Sequence, residues 1–531
     1  MDEIIERAAR LLEQAQAGEA AQALADAESL LLEATGDAAD GPACLHFVRA
    51  ISFNMLGDLP AVEDALELML AAADRERSPG WRACALGTRA AQRSRFSETR
   101  SADYDLDGVL RDLVAAEMFV AEETEPVAAV NARVAIAIGF FEMRLYELVV
   151  PQYEAAYEIS AAGPPNGNQA MWLLNLAELH LHWALELYQV GQDEAAEGHT
   201  ARSEQYSLRA AAEANGANAE VWRNYALLSA ACAKADRHDP AGAAAEIERY
   251  LGPLEARGMS PLLLAFCRPF HAVALRRSGR PDEALKIIEH AVATLPADAG
   301  VVLTSATHRT HAVLLAARGS VGAAVGMKYG DTLAATLWQQ RLRTLHSVTT
   351  MKSLEQMRRR HEQASRAADL DALTGIANRR AFDEAVLRAQ AEQNAEQGSR
   401  YSVLIVDTDK FKQINDTAGH AAGDAALRAI ADALTTQVRE LGLLARLGGD
   451  EFAVLLPGVE LPAAHDLAAR MVYAVRDIAG CPATVSVGVA AGPASALPDM
   501  LSRADAAMYR VKRRGGDGVE VSPDKVAARA A

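Results

Sequence analysis

The pattern of apolar residues changes once along the chain, near residue 369. Residues 1–330 read as helix after helix. Alanine is abundant there and favours helices, and alternating β-branched runs are nearly absent. Short clusters punctuate the region, such as Gly163-Pro164-Pro165-Asn166-Gly167 and Asn215-Gly216, which end helices and turn the chain. Beyond residue 369, helical segments alternate with short apolar runs, the sign of an α/β domain. At 531 residues the chain is long enough for two or more domains.

The segment HAVALRRSGRPDEALKIIEHAVATLP places Ala272, Gly279, Ala284, Ile288, Ala291 and Pro296 at spacings that resemble a tetratricopeptide repeat. Small residues at 272, 284 and 291 allow two antiparallel helices to approach. Gly279 turns the chain between them, and Pro296 stops the second. Similar patterns surround Gly18, Gly57, Gly191 and Gly319. The resemblance implies an all-α repeat array over 1–330 that offers a protein or peptide partner a concave face; the alternative is an irregular Ala-rich bundle. No constellation there looks catalytic, and His180, His182, His271 and His311 read as core or surface histidines.

Residues 331–368 contain no Gly or Pro and read as one helical connector. Leu342, Leu345, Val348, Met351, Leu354 and Met357 recur every three residues, so their stripe drifts around the helix. Two readings stand: a dimeric coiled coil, or a helix packed on its own repeat region. Arg358-Arg359-Arg360 reads as a solvated face.

The chemistry lies further on. Leu443-Leu444-Ala445 and Phe452-Ala453-Val454-Leu455-Leu456 flank Gly448-Gly449-Asp450, which reads as a β-hairpin because glycine supplies positive φ without steric cost. Asp450 and Glu451 sit at its tip. Upstream, Val403–Val406 is an apolar run typical of a buried strand, with Asp407 at its end. Taken alone, Asp407 is equally a turn acid or a metal ligand. Together with Asp450 it could hold a divalent cation against phosphates.

RLGGDEF resembles the signature of the GGDEF diguanylate cyclases, and further motifs follow in order: DALTGIANRR from Asp371, DTDKFKQIND with GHAAGD from Asp407 to Asp424, TVSVGVA at 484–490, and ADAAMY with Lys512. The resemblance covers 369–523, with 524–531 left as a tail. It implies a palm-like α/β nucleotidyl cyclase domain with a central antiparallel sheet. It implies condensation of two GTP into cyclic di-GMP with release of two pyrophosphates, by a homodimer, with Mg²⁺ or Mn²⁺ as cofactor. Metal ligands would be Asp407, the Thr408 carbonyl, Asp450 and Glu451. Asp450, Glu451 and Lys412 would be catalytic, Lys412 by neutralising phosphate charge. Asn415, His420, Asp424, Gly448, Gly449 and Lys512 would bind substrate. A carboxylate at Asp424 suits guanine, which offers N1–H and an exocyclic amine as paired donors.

The sequence departs from the family pattern twice. An inhibitory RxxD site would begin at Arg439, but Gly442 stands where Asp is usual. The ending Lys512-Arg513-Arg514-Gly515-Gly516-Asp517 carries Gly516 where a phosphate-binding Arg is usual, with Arg513 or Arg514 as candidate substitutes. Competing readings are a non-enzymatic receptor for GTP or cyclic di-GMP and a pure interaction scaffold. The signature acids favour the enzyme.

The net charge of −18 argues against general nucleic-acid or membrane-surface binding. The five cysteines, Cys44, Cys84, Cys232, Cys267 and Cys481, are scattered and lack a CxxC pair. They read as thiols in a reducing compartment. The charged amphipathic N-terminus is no signal peptide, and no apolar run reaches the ~18 residues of a membrane helix. The expectation is a cytoplasmic protein.

Overall fold

Our computed structural model describes residues 2–36, 38–95, 105–163, 168–215, 219–257, 259–297, 299–392 and 400–522. The Pro164–Gly167 part of one expected break, Gly216 of the other, and the 524–531 tail lie outside them. The chain divides into two compact units, one up to Leu354 and one from Glu355.

The first unit is helical throughout its described secondary structure, and successive helices pack on one another. All five turn glycines picked from the sequence adopt positive φ: Gly18 (102°), Gly57 (80°), Gly191 (72°), Gly279 (82°) and Gly319 (89°). Around Gly279 the helices Pro261–Arg277 and Pro281–Ala293 pack together, burying Ala272, Ala284, Ile288 and Ala291. Elsewhere glycine permits a close approach of two helix backbones. A Cβ on Gly87, in the helix Pro79–Arg95, would lie 2.8 Å from the backbone nitrogen of Ile136 in the helix Pro126–Glu142. Large side chains such as Phe140 and Tyr146 close the core nearby, each worth roughly 2–3 kcal/mol of burial.

The connector is longer than the sequence suggests: one helix runs Val321–Ala368, through Gly322, Gly326 and Gly330. Within the first unit it packs on the other helices through Val348, Leu345 and Met351. Arg341, 2 % exposed, anchors it. Its Nε donates to the Arg144 carbonyl at 2.6 Å, it pairs with Glu147, and its guanidinium lies 4.4 Å from the Trp338 ring and 5.2 Å from that of Tyr146. Lys352 pairs with Glu117 at 2.8 Å. Leu342, Leu354 and Met357 are exposed. The drifting stripe therefore splits: half of it faces the helical unit and half faces solvent.

Three histidines here, His180, His182 and His199, sit among aromatic rings. His182 stacks on Phe266 at 4.2 Å, and burial lowers its pKa to about 4. His180 lies 2.9 Å from His199, Nδ1 to Nδ1. Cys44, Cys84, Cys232 and Cys267 are buried thiols, while Cys481 is partly exposed. No described helix is long and apolar enough to cross a membrane.

The second unit is built on a six-stranded sheet: β1 Ala377–Asn378, β2 Arg400–Thr408, β3 Leu443–Gly448, β4 Glu451–Pro457, β5 Val485–Pro493 and β6 Gly518–Val521, in the order β1-β3-β4-β2-β5-β6. The expected antiparallel sheet is present only at the centre. β2 runs antiparallel to β4 and β5, but the edge pairs β1–β3 and β5–β6 are parallel, so the sheet is mixed. The central strand is buried along Tyr401–Thr408 because helices cover both faces.

Candidate active site

The end of β2 and the β3–β4 turn meet at one corner of the sheet. β2 itself delivers Asp407 and Thr408, and its partner β4 begins at Glu451, which lies opposite Asp407 in register. The β3–β4 turn carries Gly448 (φ 141°) and Gly449 (φ 57°), the positive-φ backbone its sequence demands. Thr408 ties the turn to β2: its N–H and Oγ both donate to the Asp450 carbonyl, at 3.1 and 3.2 Å.

The acids at this corner repel one another. Asp407 is 6 % exposed and its pKa is raised to about 6, mainly by burial and then by the nearby Asp450 and Glu451. Lys512 opposes that shift through an ion pair with Asp407. The sequence resemblance assigned Lys512 to nucleotide phosphates, whereas the structure sets its ammonium on Asp407. Lys512 reaches there from the helix Leu497–Arg513, which crosses β5 at Gly488; a Cβ at that position would collide with the Ala504 carbonyl.

The remaining expected residues lie on solvent-facing elements that follow β2 in the chain. Lys412 and Asn415 lie on the helix Phe411–Ala418, with Lys412 exposed; His420 and Asp424 begin the helix His420–Val438 and are both exposed. Asn415 is set against Gly423, leaving no room there for a side chain. Asp450, Glu451, Lys412, His420 and Asp424 make no side-chain hydrogen bond or ion pair among the described residues. They are free to meet a ligand.

Two structural roles, those of Arg446 and Asp409, escaped the sequence reading, whereas Asp371 stands in the DALTGIANRR segment, for which the resemblance implied a structural role. Asp371 accepts from Thr374 N and Oγ1 at 2.9 and 2.7 Å and from Arg446 Nη1 at 2.9 Å. Burial would raise its pKa, but the Thr374 and Arg446 hydrogen bonds outweigh it and the net shift is downward. Arg446 also donates to the Gly449 carbonyl from Nε at 3.0 Å and Nη2 at 2.7 Å, so one guanidinium joins the DALTG segment to the glycine turn. Asp409 is held within the fold: it accepts from Thr484 Oγ1 (2.8 Å), Ser486 Oγ (2.6 Å) and Asp517 N (2.8 Å).

The two departures acquire physical reasons. Gly516 has φ 83°, and a Cβ there would lie 2.6 Å from the Asp409 carboxyl carbon, so this path of the chain excludes an arginine. Of its candidate substitutes, Arg514 pairs with Glu520 at 2.8 Å, while Arg513 is exposed. At Gly442 a Cβ would collide with the Leu455 carbonyl of β4, and Arg439, itself at φ 42°, donates from Nε to the Thr436 carbonyl at 3.0 Å.

The donor set suits a hard divalent cation, being all oxygen and strongly acidic. Among the described residues no three His, Cys, Asp or Glu side chains gather closely enough to hold a metal by themselves. That fits a cation of the Mg²⁺ type, which takes one or two carboxylates and completes its shell with substrate phosphates and water.

Residues 368–518 match the family model "Diguanylate cyclase, GGDEF domain". This part of the chain is a GGDEF domain. Diguanylate cyclase DgcM of Escherichia coli is 38 % identical over 195 residues, which make up 36 % of this chain and 44 % of that protein. Diguanylate cyclase TpbB of Pseudomonas aeruginosa is 41 % identical over 170 residues, 30 % of this chain and 39 % of that one. The chain thus spans less than half the length of these curated relatives. Among solved structures, the coiled coil and GGDEF domain of DgcB from Caulobacter crescentus, in complex with c-di-GMP, is 32 % identical, covering 33 % of this chain and 97 % of that one with a TM-score of 0.31.

Proposed function

We propose that the protein is a diguanylate cyclase, condensing two GTP into cyclic di-GMP and two pyrophosphates. The observation that carries this reading is the convergence of Asp407, Asp450 and Glu451 at one corner of the GGDEF domain, with Lys512 the only cation paired there among the described residues. Acids gathered at one corner against their own repulsion offer Mg²⁺ or Mn²⁺ the one or two carboxylates it takes beside a triphosphate. A bound divalent ion would neutralise phosphate charge and ease deprotonation of the attacking 3′-hydroxyl.

The chain's own residues do the rest. Asp407, the Thr408 carbonyl, Asp450 and Glu451 would hold the metal, with substrate phosphates and water completing its shell. Asp450, on the glycine turn, takes the proton of the attacking hydroxyl. Lys412 and Lys512 meet phosphate oxygens, which requires Lys512 to leave Asp407 as substrate arrives. Asn415 and Asp424 hydrogen-bond the guanine edge, His420 lies beside the substrate, and Gly448 and Gly449 let the backbone approach it. One domain holds one GTP, so two copies must meet and the working unit is a homodimer. We assign residues 1–330 to a cytoplasmic sensor or docking array for a protein or peptide partner, 331–368 to the connector and 369–523 to the cyclase. With Gly442 in the RxxD position, product inhibition there is weak or lost.

The test is incubation of the full chain with GTP and Mg²⁺, with cyclic di-GMP read by chromatography beside Asp450→Ala. Product from the wild type and at least a hundredfold less from the variant is expected, as when a group acting on transition-state charge is removed (~10²–10³). GTP binding without product, persisting when dimerisation is enforced, would instead identify a receptor.

A further inference from the structure

The helix Leu497–Arg513 ends in a loop that Asp409 holds. Three consecutive residues of that loop take positive φ: Gly515 (117°), Gly516 (83°) and Asp517 (54°). Asp517 carries a side chain, so this path is strained and persists only where the surroundings fix it. Two groups fix it. The Asp409 carboxylate, 8 % exposed, accepts from the Asp517 N–H at 2.8 Å, and Arg476 Nη2 donates to the Asp517 carboxylate at 2.7 Å. Asp409 is anchored in turn by the start of β5. Its carboxylate accepts from Thr484 Oγ1 and Ser486 Oγ, and its N–H donates to the Thr484 carbonyl at 2.8 Å.

The same loop closes the helix turn that carries Lys512. The Gly515 N–H donates to the Lys512 carbonyl and the Gly516 N–H to the Val511 carbonyl, both at 3.1 Å. Hydrogen bonds therefore run from Asp409, just beyond Asp407 in the chain, through the loop to the last turn of the helix. Among the basic residues of this helix end, Lys512 is the one paired at the corner. Arg510 and Arg514 pair with Glu520, Arg513 is exposed, and Gly516 brings no side chain. With one cation there, the backbone path at the helix end decides whether its ammonium meets a phosphate. Misplacing such a group by about 1 Å can cost ~10²-fold in rate.

We infer that Asp409 is a positioning residue: through the 515–517 loop it sets the last helix turn so that Lys512 meets the nucleotide phosphates. The inference rests on the cyclase reading for the placement of phosphate at Lys512.

The probe is 3′-deoxyGTP with Mg²⁺, which lacks the attacking hydroxyl and so binds without turnover. Titrated calorimetrically into the full-length chain, it should bind Lys512→Met about tenfold more weakly than the wild type. Asp409→Ala should weaken binding about fivefold, and the double variant should bind no more weakly than Lys512→Met, since both changes remove one contact. Asp409→Asn should keep close to wild-type affinity. Its amide oxygen can face Thr484 and Asp517 while its NH₂ donates to Ser486 Oγ. A group that only stabilises the fold would lower the melting temperature and leave these affinities where they were. Wild-type affinity in Asp409→Ala overturns the inference, and so does a loss that adds in full to that of Lys512→Met. Should Asp409→Ala fail to fold, Arg476→Ala decides, because it frees the other anchor of the loop. Binding about threefold weaker is then expected, with no further loss on top of Lys512→Met, and unchanged binding overturns the inference. GTP with Mg²⁺ tests the cyclase reading separately. A wild type that binds 3′-deoxyGTP but makes no cyclic di-GMP from GTP sinks that reading, while the affinities still judge Asp409. A wild type that binds neither nucleotide overturns both.

Discussion

The two units handle charge in opposite ways. In the helical unit two buried charges have charged partners: Arg341 is clasped by Glu147, the Arg144 carbonyl and aromatic rings, while Glu186 is met by Arg144 at 3.2 Å and Tyr146 at 2.6 Å. In the GGDEF domain Asp407 is buried beside two further acids with Lys512 alone to offset them. The first arrangement suits a scaffold, since an unpaired buried charge costs several kcal/mol. The second suits a site, where that cost is retained because a ligand will relieve it. Substitutions should therefore separate stability from activity according to the unit they fall in.

The sharpest contrast should come from Asp407→Asn. Cyclic di-GMP production is expected to fall at least a hundredfold (~10²–10³). Thermal stability should hold or rise, because repulsion from Asp450 and Glu451 is removed. A variant that instead unfolds readily would make Asp407 a structural residue and erase the contrast.

Arg341→Ala should behave in the reverse sense, costing about 3 kcal/mol in denaturant unfolding of the helical unit. It strips Glu147 of its partner and empties the space between Tyr146 and Trp338. A loss below about 1 kcal/mol would mean that the connector helix docks on the helical unit weakly.

Gly442→Asp addresses the inhibitory motif. It should cost about 1–3 kcal/mol, as overpacking does, and should not restore product inhibition, because the new side chain meets the Leu455 carbonyl. Restored inhibition at unchanged stability would overturn the steric account.

The smallest effect concerns pH. Burial raises the pKa of Glu178 to about 7, against a smaller lowering by the Tyr225 hydroxyl, which donates to it at 3.1 Å. The folded state holds this proton more tightly than the unfolded chain. The stabilisation is therefore full below the ordinary glutamate range and is lost as pH rises through about 7. Glu178→Gln should flatten the dependence between pH 5 and 8, gaining up to about 2 kcal/mol on the wild type at pH 8. An unchanged pH profile would show that Glu178 is ionised in the fold at little cost.

Much of the architecture was legible in local pattern. Glycine at 18, 57, 191, 279 and 319 marked the helix turns because only glycine takes positive φ at little cost. The apolar run at 403–406 announced a buried strand, and Gly448-Gly449 announced the hairpin beside it. Each is written within a few consecutive residues, so the sequence by itself determined the helical array, the α/β domain after it and the acids at its hairpin tip.

Tertiary structure decided the pairings. Asp409 is held by Thr484, Ser486 and the Asp517 N–H, Arg341 reaches a carbonyl 197 residues away, and Lys512 sits on Asp407. Gly442 and Gly516 looked like losses from a motif and are steric necessities, one against β4 and the other against Asp409. Contacts between distant segments depend on which backbone passes which side chain, and no local period or turn rule records that.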